Sequence, residues 1–382
     1  MPLSAPDIFA RLSEWPHRGV GTEEELEARE ALITELTGEF DVEVKEEGFN
    51  APTSYLPFLW LIGIMAIIAI LGANYMPDIM MMLGALAFVS WFLFFDWRRS
   101  PIIWWGANRT TANLVASKGQ GKNLFILMAH IDSAPASFAY RANQVPHFRF
   151  ALFASTCVIA LGVVFPLFAS FGLNVNGAFI SFGAALIALQ LLLASMDFWR
   201  FGYTPGANDN LSGVAAATAA ASRLWRRMPE DSEVRLVITT AEEAGMLGSQ
   251  HYLNVHKNEL KARKTYLVNI DTVGCENLRF VTKSGGFTPV NYQNALTHVA
   301  DRVCRINQDF ERVTPAHHHV GDFDSVWFAR AGIPSVTLAS YDDYGHMTGI
   351  HTPEDTIEKV DTNTMILAAR FAEAIVRTCP NS

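Results

Sequence analysis

Residues 124–168 read LFILMAHIDSAPASFAYRANQVPHFRFALFASTCVIALGVVFPLF, and this stretch decides the fold class. It begins with a continuous apolar run, which is typical of a strand that is covered on both faces of a sheet. A His-x-Asp pair follows at His130 and Asp132, and the chain then becomes apolar for the length of a membrane helix. These features predict an α/β domain into which membrane segments are inserted.

The composition limits the class of protein. The 382 residues are 50% hydrophobic and 18% charged, which is too polar for a chain that lies in a membrane throughout. The net charge of -9 disfavours nucleic acid as a partner, because phosphate binding needs clustered Lys and Arg. The four cysteines are widely spaced and indicate neither a disulfide framework nor a cysteine zinc site, which favours a reducing compartment. The N-terminal residues show no signal-peptide pattern, so we expect the chain to stay in the compartment where it is made.

Four apolar segments are close to membrane length and contain no Lys, Arg, Asp or Glu. They cover residues 55–73, 79–95, 151–173 and 178–196. Short links at 74–78 and 174–177 pair them as two hairpins. Four buried core helices are the alternative, but a helix in a soluble core usually keeps one polar face. We therefore predict four transmembrane helices.

Outside these segments the chain reads as strands and amphipathic helices. The predicted strands cover residues 41–47, 111–118, 123–130, 233–240, 264–271 and 334–340. Acids and histidines stand at the ends of these strands or in the turns that follow, where the ligands of an open α/β sheet meet. Two histidines and three carboxylates suit Zn²⁺, and one carboxylate can bridge two ions. The residues alone thus predict a di-metal hydrolase.

The same motifs, in this order, resemble the M28 family of zinc aminopeptidases. They are His-Ile-Asp at 130–132, GANDNLSG at 206–213, EEAGMLGS at 242–249, Asp271 at a strand end, and HTPEDT at 351–356. The resemblance covers nearly all the chain outside the four apolar segments. It implies a three-layer α/β/α zinc-peptidase domain with a mixed sheet.

The resemblance also implies a role for each site residue. Asp209 is expected to bridge two Zn²⁺ ions, although other divalent metals also suit these ligands. His130 and Asp271 complete one ion site, and Glu243 and His351 complete the other. Glu242 is expected to act as the general base that takes a proton from the metal-bound water.

Further residues are expected to support the ligands or to line the substrate pocket. Asp132 would hold the imidazole of His130, and Asp355 would do the same near His351. His346 is a rival ligand, but the HTPEDT context favours His351. The substrate-pocket candidates are Asp324, which Ser325 follows where the family commonly has His, together with Tyr341, Asp342 and His319. Asp342 could bind a substrate amine, but an exposed acidic turn is the favoured interpretation of this stretch. The role of residues 317–319 stays open.

The two hairpins interrupt one domain, so each must return the chain to the side that it left. The predicted organisation is an N-terminal part of the catalytic domain at 1–54, a hairpin at 55–96, a catalytic segment with the first metal ligand at 97–150, a second hairpin at 151–197, and the remaining ligands at 198–382. The arginines flank the domain side, at positions 98, 99, 109, 141, 149 and 200, and both far-side links lack Lys and Arg. The positive-inside rule then places the catalytic domain and both termini in the cytoplasm, with the chain in the inner or plasma membrane if it is bacterial.

The predicted function is a membrane-anchored di-zinc aminopeptidase that cleaves hydrophobic or membrane-associated peptides. The hairpins would roof or flank the site and favour apolar substrates, or they would only anchor the domain. An amidase or deacylase of N-acyl amino acids or lipid amides is the main alternative. A glutaminyl-cyclase-like acyltransferase and a non-enzymatic scaffold are less favoured, because all five ligands and Glu242 are present. A peptide or N-acyl amide and the bilayer are the expected partners, and the oligomeric state stays open.

Overall fold

A mixed β-sheet forms the centre of the molecule. The computed structural model describes residues 4–40, 42–95, 106–347 and 349–379. The strands are β1 (Val44–Ala51), β2 (Arg109–Gly119), β3 (Asn123–His130), β4 (Ser232–Thr239), β5 (Lys264–Ile270), β6 (Asn277–Ser284), β7 (Val290–Asn291), β8 (Thr314–His317) and β9 (Ser335–Tyr341). Their order is β1-β2-β4-β3-β5-β9-β6-β7, with β8 paired to β6. The central strands β4, β3, β5 and β9 are parallel, and antiparallel strands flank them on both sides.

Helices cover both faces of this sheet. They are α1 (Ala5–Leu12), α2 (Glu23–Glu39), α7 (Gly213–Arg226), α8 (Leu247–Ala262), α9 (Ala295–Ile306), α10 (Val326–Arg330) and α11 (Thr362–Thr378), with α3 to α6 in the inserted segments. Alternate residues of β3 point to opposite faces. Phe125 and Leu127 pack with α1, α2, α7, α9 and α11, while Ile126 and Met128 pack with α8 and α10. The predicted mixed α/β sheet is therefore confirmed.

The predicted apolar segments form four helices that pack against one another. These are α3 (Leu56–Leu71), α4 (Pro77–Phe95), α5 (Phe148–Ser170) and α6 (Gly177–Phe201). Helices α4 and α5 meet where Gly84 faces Gly162, since a Cβ atom at Gly84 would lie only 1.8 Å from the carbonyl oxygen of Gly162. The side-chain amide of Asn74 exchanges two hydrogen bonds with the backbone of Val175, at 2.8 and 3.0 Å. The two far-side links are thus joined to each other.

Three of the apolar helices are long and apolar enough to cross a membrane. They are Pro77–Phe95, Val145–Ser170 and Gly177–Phe201, and only 17–22% of the most apolar stretch of each is buried within the protein. The first predicted segment forms α3, which has only 16 residues because the helix begins at Leu56 and ends at Leu71. A spanning helix needs roughly 17–25 residues. Among the described residues, three of the four predicted helices reach this length.

The predicted ends of the inserted segments differ slightly from the helix ends. Helix α5 begins three residues before the predicted start at position 151, and α6 extends to Phe201 instead of position 196. The predicted boundary at 96 and 97, together with Arg98 and Arg99, lies outside the described residues.

Candidate metal centre

The candidate ligands converge at the carboxyl ends of the parallel strands. His130 is the last residue of β3, and Asp271 directly follows β5. Glu242 and Glu243 lie in the turn after β4, His351 lies in the loop after β9, and Asp209 precedes α7. Because parallel strands all end at the same edge of the sheet, five separate segments of the chain supply one cluster.

The ligand atoms form two groups that share Asp209. The Nε2 atom of His130 lies 3.2 Å from Oδ1 of Asp209 and 3.7 Å from Oδ2 of Asp271. The Nε2 atom of His351 lies 3.0 Å from the other oxygen of Asp209 and 3.2 Å from Oε2 of Glu243. Each of these two groups could hold a metal ion, and Asp209 belongs to both. A third candidate group joins His130 with Glu242 and Glu243.

The position of Asp209 depends on Asp355 and on a close approach of α7 to the sheet. The carboxylate of Asp355 accepts hydrogen bonds from the backbone N–H groups of Asn208, at 2.7 Å, and of Asp209, at 3.1 Å. A Cβ atom at Gly213 would lie 2.4 Å from the carbonyl oxygen of Ile270, so only glycine allows α7 to begin there. The turn is thus fixed on both sides of Asp209.

This geometry corrects the role expected for Asp355. Its oxygens hold the Asp209 turn, and the buried Nδ1 atom of His351 has no hydrogen-bond partner among the described residues. The imidazole of His351 stacks instead on Tyr140, with ring centroids 4.0 Å apart. The carboxylate of Asp355 is therefore engaged by the neighbouring turn and not by the His351 ring.

Asp132 connects two parts of the cluster. Its Oδ1 atom lies 3.5 Å from Nδ1 of His130, the side on which the imidazole was expected to be held. The same carboxylate also accepts hydrogen bonds from the backbone N–H groups of Glu242, at 3.2 Å, and Glu243, at 3.0 Å. The end of β3 and the glutamate turn after β4 are therefore fixed relative to each other.

Arg18 lies beneath the cluster. No sequence motif marks it as a site residue. Its guanidinium is fully buried and donates hydrogen bonds to the carbonyl oxygens of Ile131 at 2.8 Å, Pro205 at 2.9 Å and Gly206 at 2.8 Å. Burial lowers the pKa of Arg18 to about 10, although nearby Asp355 and other carboxylates oppose this change. Arg18 therefore stays charged at neutral pH and holds both loops that carry the ligands His130 and Asp209.

The electrostatics of the cluster favour a cation. Burial raises the pKa of Glu243 to about 7, and burial raises the pKa of Glu242 well above its ordinary value. Burial alone would lower the pKa values of His130 and His351, but the carboxylates beside them raise both well above the ordinary value. Oε1 of Glu243 and Nδ1 of His351 are buried without a hydrogen-bond partner among the described residues. Buried carboxylates with imidazole nitrogens between them fit Zn²⁺, which takes nitrogen and oxygen ligands.

A cavity of about 520 Å³ opens from this cluster. Its lining includes all five candidate ligands and Glu242. It also includes Tyr140 and residues of all four apolar helices, among them Leu59, Phe94, Leu152 and Leu193. The metal cluster and the inserted helices thus share one continuous space.

The four predicted pocket residues are not part of this cavity lining. Asp324 is buried behind the cluster and accepts a hydrogen bond from Oγ1 of Thr239 at 2.5 Å. Tyr341 is buried in the sheet, with its hydroxyl 3.4 Å from Nδ1 of His318. Burial raises the pKa of Asp324 to about 6. Both side chains are buried within the protein, so neither one lines the cavity.

The remaining two candidates lie at the surface of their loops. Asp342 accepts hydrogen bonds from the backbone N–H groups of Tyr344 and His346, so the acidic stretch is a turn. The ring of His319 packs against His317 at a tilt, with centroids 3.8 Å apart. The middle histidine, His318, lines the cavity together with Asp322 and Phe323, which the sequence did not identify. His346 belongs to none of the ligand groups among the described residues.

Solved structures with the same fold include zinc peptidases and glutaminyl cyclases. BSAP, a zinc aminopeptidase from Bacillus subtilis, is 17% identical with a TM-score of 0.58, and the alignment covers 98% of this chain and 94% of BSAP. A leucine aminopeptidase precursor from Bacteroides thetaiotaomicron is 15% identical with a TM-score of 0.58, covering 99% and 98%. Porphyromonas gingivalis glutaminyl cyclase is 14% identical with a TM-score of 0.55, covering 99% and 98%. At these identities the likeness establishes the fold.

Sequence relatives match part of the chain. Aminopeptidase YwaD of Bacillus subtilis is 31% identical over 181 residues, which are 46% of this chain and 38% of YwaD. An aminopeptidase of Pseudomonas aeruginosa is 45% identical over 74 residues, which are 19% of this chain and 13% of that protein. The chain therefore spans well under half the length of these relatives. The profile of Peptidase family M28 matches residues 190–376, which contain Asp209, Glu242, Glu243, Asp271 and His351. Just under half of the chain, residues 190–376, is thus similar to peptidase family M28.

Proposed function

We propose that the chain is a membrane-embedded aminopeptidase that uses two zinc ions. The observation that supports this proposal most directly is the pair of ligand groups that share Asp209. His130, Asp209 and Asp271 would hold one ion, and Asp209, Glu243 and His351 would hold the other. When bound, zinc supplies a Lewis acid that polarises the amide carbonyl and makes water more acidic.

Glu242 is the proposed general base. It lines the cavity beside the ligands, and Asp132 fixes its backbone. Burial raises the pKa of Glu242, His130 opposes this change, and Glu243 adds to it. A carboxylate with a raised pKa can accept a proton from the attacking water and return it to the leaving amine near neutral pH.

The inserted helices support a location in the membrane. Three of them meet the length and apolarity for spanning, and α3 packs with them in one apolar cluster. Arg109, Arg141, Arg149 and Arg200 all lie near the domain side of the helices, which favours a cytoplasmic catalytic domain. A site that opens towards apolar helices would favour hydrophobic or membrane-associated peptides as substrates.

An amidase of N-acyl amino acids or lipid amides is the second candidate. One observation favours it: Asp342, the carboxylate that the sequence offered for a substrate amine, is occupied in a turn outside the cavity lining. Such an enzyme would use the same ligands and the same base but would need no site for a free amine.

Metal content and substrate class test this proposal together. We would purify the full chain in lipid nanodiscs, measure zinc per chain by elemental analysis, and assay aminoacyl amides, N-acyl amino acids and glutaminyl peptides. Two zinc ions with release of N-terminal residues are expected. Zinc-dependent cleavage of N-acyl amino acids alone would establish the second candidate. A metal-free, inactive protein under conditions that supply zinc would overturn both.

A further inference from the structure

The cavity has two chemically different parts. One part contains the metal ligands and Glu242, and it is polar. The other part lies among the inserted helices, and we call it the apolar arm; its lining includes Leu59, Phe94, Leu152, Ala154 and Leu193. Both parts belong to one space of about 520 Å³, so a bound molecule can occupy both at once.

The apolar arm reaches far along the inserted helices. Gln190 lines it and lies eleven residues before the end of α6 at Phe201, which corresponds to roughly 16 Å along the helix axis. Ser155 lines it and lies seven residues after the start of α5 at Phe148, or about 10 Å along that helix. Since the hydrocarbon core of a bilayer is about 30 Å thick, the arm extends to hydrocarbon depth in the proposed orientation.

Two residues that line the arm on the inserted helices are partly exposed. Leu193 lines the cavity and is 39% exposed, and Ala151 lines it and is exposed near the start of α5. An opening beside α5 and α6 would face lipid and not water. A molecule that already lies in the bilayer could therefore reach the metal cluster without leaving it.

We infer that the apolar arm binds the aliphatic tail of an amide substrate while the amide itself lies at the metal cluster. This inference rests on the proposed amide hydrolysis and names the substrate class of that site. Water adds across the C–N bond of the amide, so that a carboxylic acid and an amine leave, one of which carries the tail. The amine takes the proton that Glu242 received from water.

An aliphatic tail fits this lining better than a peptide segment does. Within the helices that line the arm, Ser155 has a side-chain hydroxyl and Gln190 has a side-chain amide. Tyr55 and Trp91 add a hydroxyl and an indole N–H at the domain end of the arm. The indole N–H of Trp91 already donates to Thr156, at 2.9 Å. A peptide would bury one N–H and one C=O group per residue with few partners, which is costly, whereas a methylene chain has no polar groups to satisfy.

Substrates that differ only in tail length test the inference. We would use leucyl N-alkylamides and N-acyl leucines with butyl, octyl and dodecyl tails, in nanodiscs of one lipid composition. For the class that the enzyme hydrolyses, kcat/KM should rise by up to about fourfold for each methylene until the arm is full. A flat series would overturn the inference, whereas failure to hydrolyse even the butyl substrates would overturn the proposed function instead.

Two variants separate binding in the arm from simple partition into lipid. Ala154→Trp fills the arm from α5 and should lower the dodecyl-to-butyl ratio of kcat/KM by about tenfold or more. Ala185→Trp adds the same side chain at an exposed position on α6 outside the arm and should leave that ratio unchanged. Ala194→Phe fills the arm from α6 and replaces Ala154→Trp if that protein does not fold. Equal ratios in the filled and control variants would show that the tail lies elsewhere.

Discussion

Glu242 and Glu243 are adjacent residues with the same side chain, but they contact different parts of the cluster. Oε2 of Glu243 lies 3.2 Å from Nε2 of His351, within one ligand group. Glu242 lines the cavity and is less buried, and its backbone is held by Asp132. The turn presents the carboxylate of Glu243 to the ligands and that of Glu242 to the cavity. One glutamate can therefore bind metal while its neighbour transfers a proton.

Replacement of each glutamate should therefore have a different result. Glu242→Gln removes the proposed proton acceptor and none of the proposed ligands, so we expect kcat to fall by roughly 10²–10⁴-fold with zinc content unchanged. Glu243→Gln should lose zinc from the group that contains His351. Steady-state kinetics and elemental analysis of both variants make the comparison, and loss of zinc in Glu242→Gln would mean that the two roles are exchanged.

Single residues show where sequence reasoning succeeds and where it fails. The convergence of the candidate ligands was predictable because each one follows a recognisable strand or stands in a motif of fixed spacing. The pocket residues were not, because Tyr341 and Asp324 turn inward through pairing and packing that no local pattern records. Arg18 illustrates the same limit, since its three carbonyl partners come from two distant loops.

At the scale of elements, α6 is joined to the loop that lines the cavity. Arg141 donates two hydrogen bonds to the carboxylate of Asp197 on α6, at 2.9 and 2.6 Å. The side chain of Asp197 is 3% exposed, and that of Arg141 is 42% exposed. Next to Arg141 stands Tyr140, which stacks on His351. The inserted helix is thus connected to a metal ligand through two adjacent loop residues.

Removal of one partner should cost more than removal of both. Arg141→Met leaves the buried Asp197 carboxylate without its partner, so we expect a loss of roughly 2–4 kcal/mol in stability, between the values for surface and buried ion pairs. The double variant Arg141→Met with Asp197→Asn should recover part of that loss. Thermal unfolding in nanodiscs measures the effect. Strictly additive losses would mean that the pair does not couple α6 to the loop.

Element prediction succeeded where a pattern was long and uniform. Strand β3 is buried along its whole length, in accord with its continuous apolar run. The helix in the first apolar segment is shorter than the segment, because Tyr55 and Gly72 lie outside the regular helix at its two ends. Strand order could not be read from the sequence either, since it depends on which distant strands pair.

For the whole molecule, the proposed topology places the catalytic domain in the cytoplasm and the two far-side links outside it. A reporter that is active only outside the cytoplasm should therefore work when it is inserted at Asn174 and fail when it is joined after Cys379. A reporter that is active only inside should give the opposite pattern. If the two patterns were exchanged, the orientation would be the reverse of the proposed one. Identical results at both positions would rule out an odd number of crossings between them.

The second insert separates the two halves of the metal centre in the chain. His130 is synthesised before α5 and α6, and Asp209 is synthesised after them. In the proposed topology, these ligands can meet only after the hairpin has crossed the bilayer and returned. A newly made chain would therefore have no complete site of the proposed kind until α5 and α6 are inserted. Membrane insertion would act as the maturation step, and chains that fail to insert would be harmless to cytoplasmic peptides.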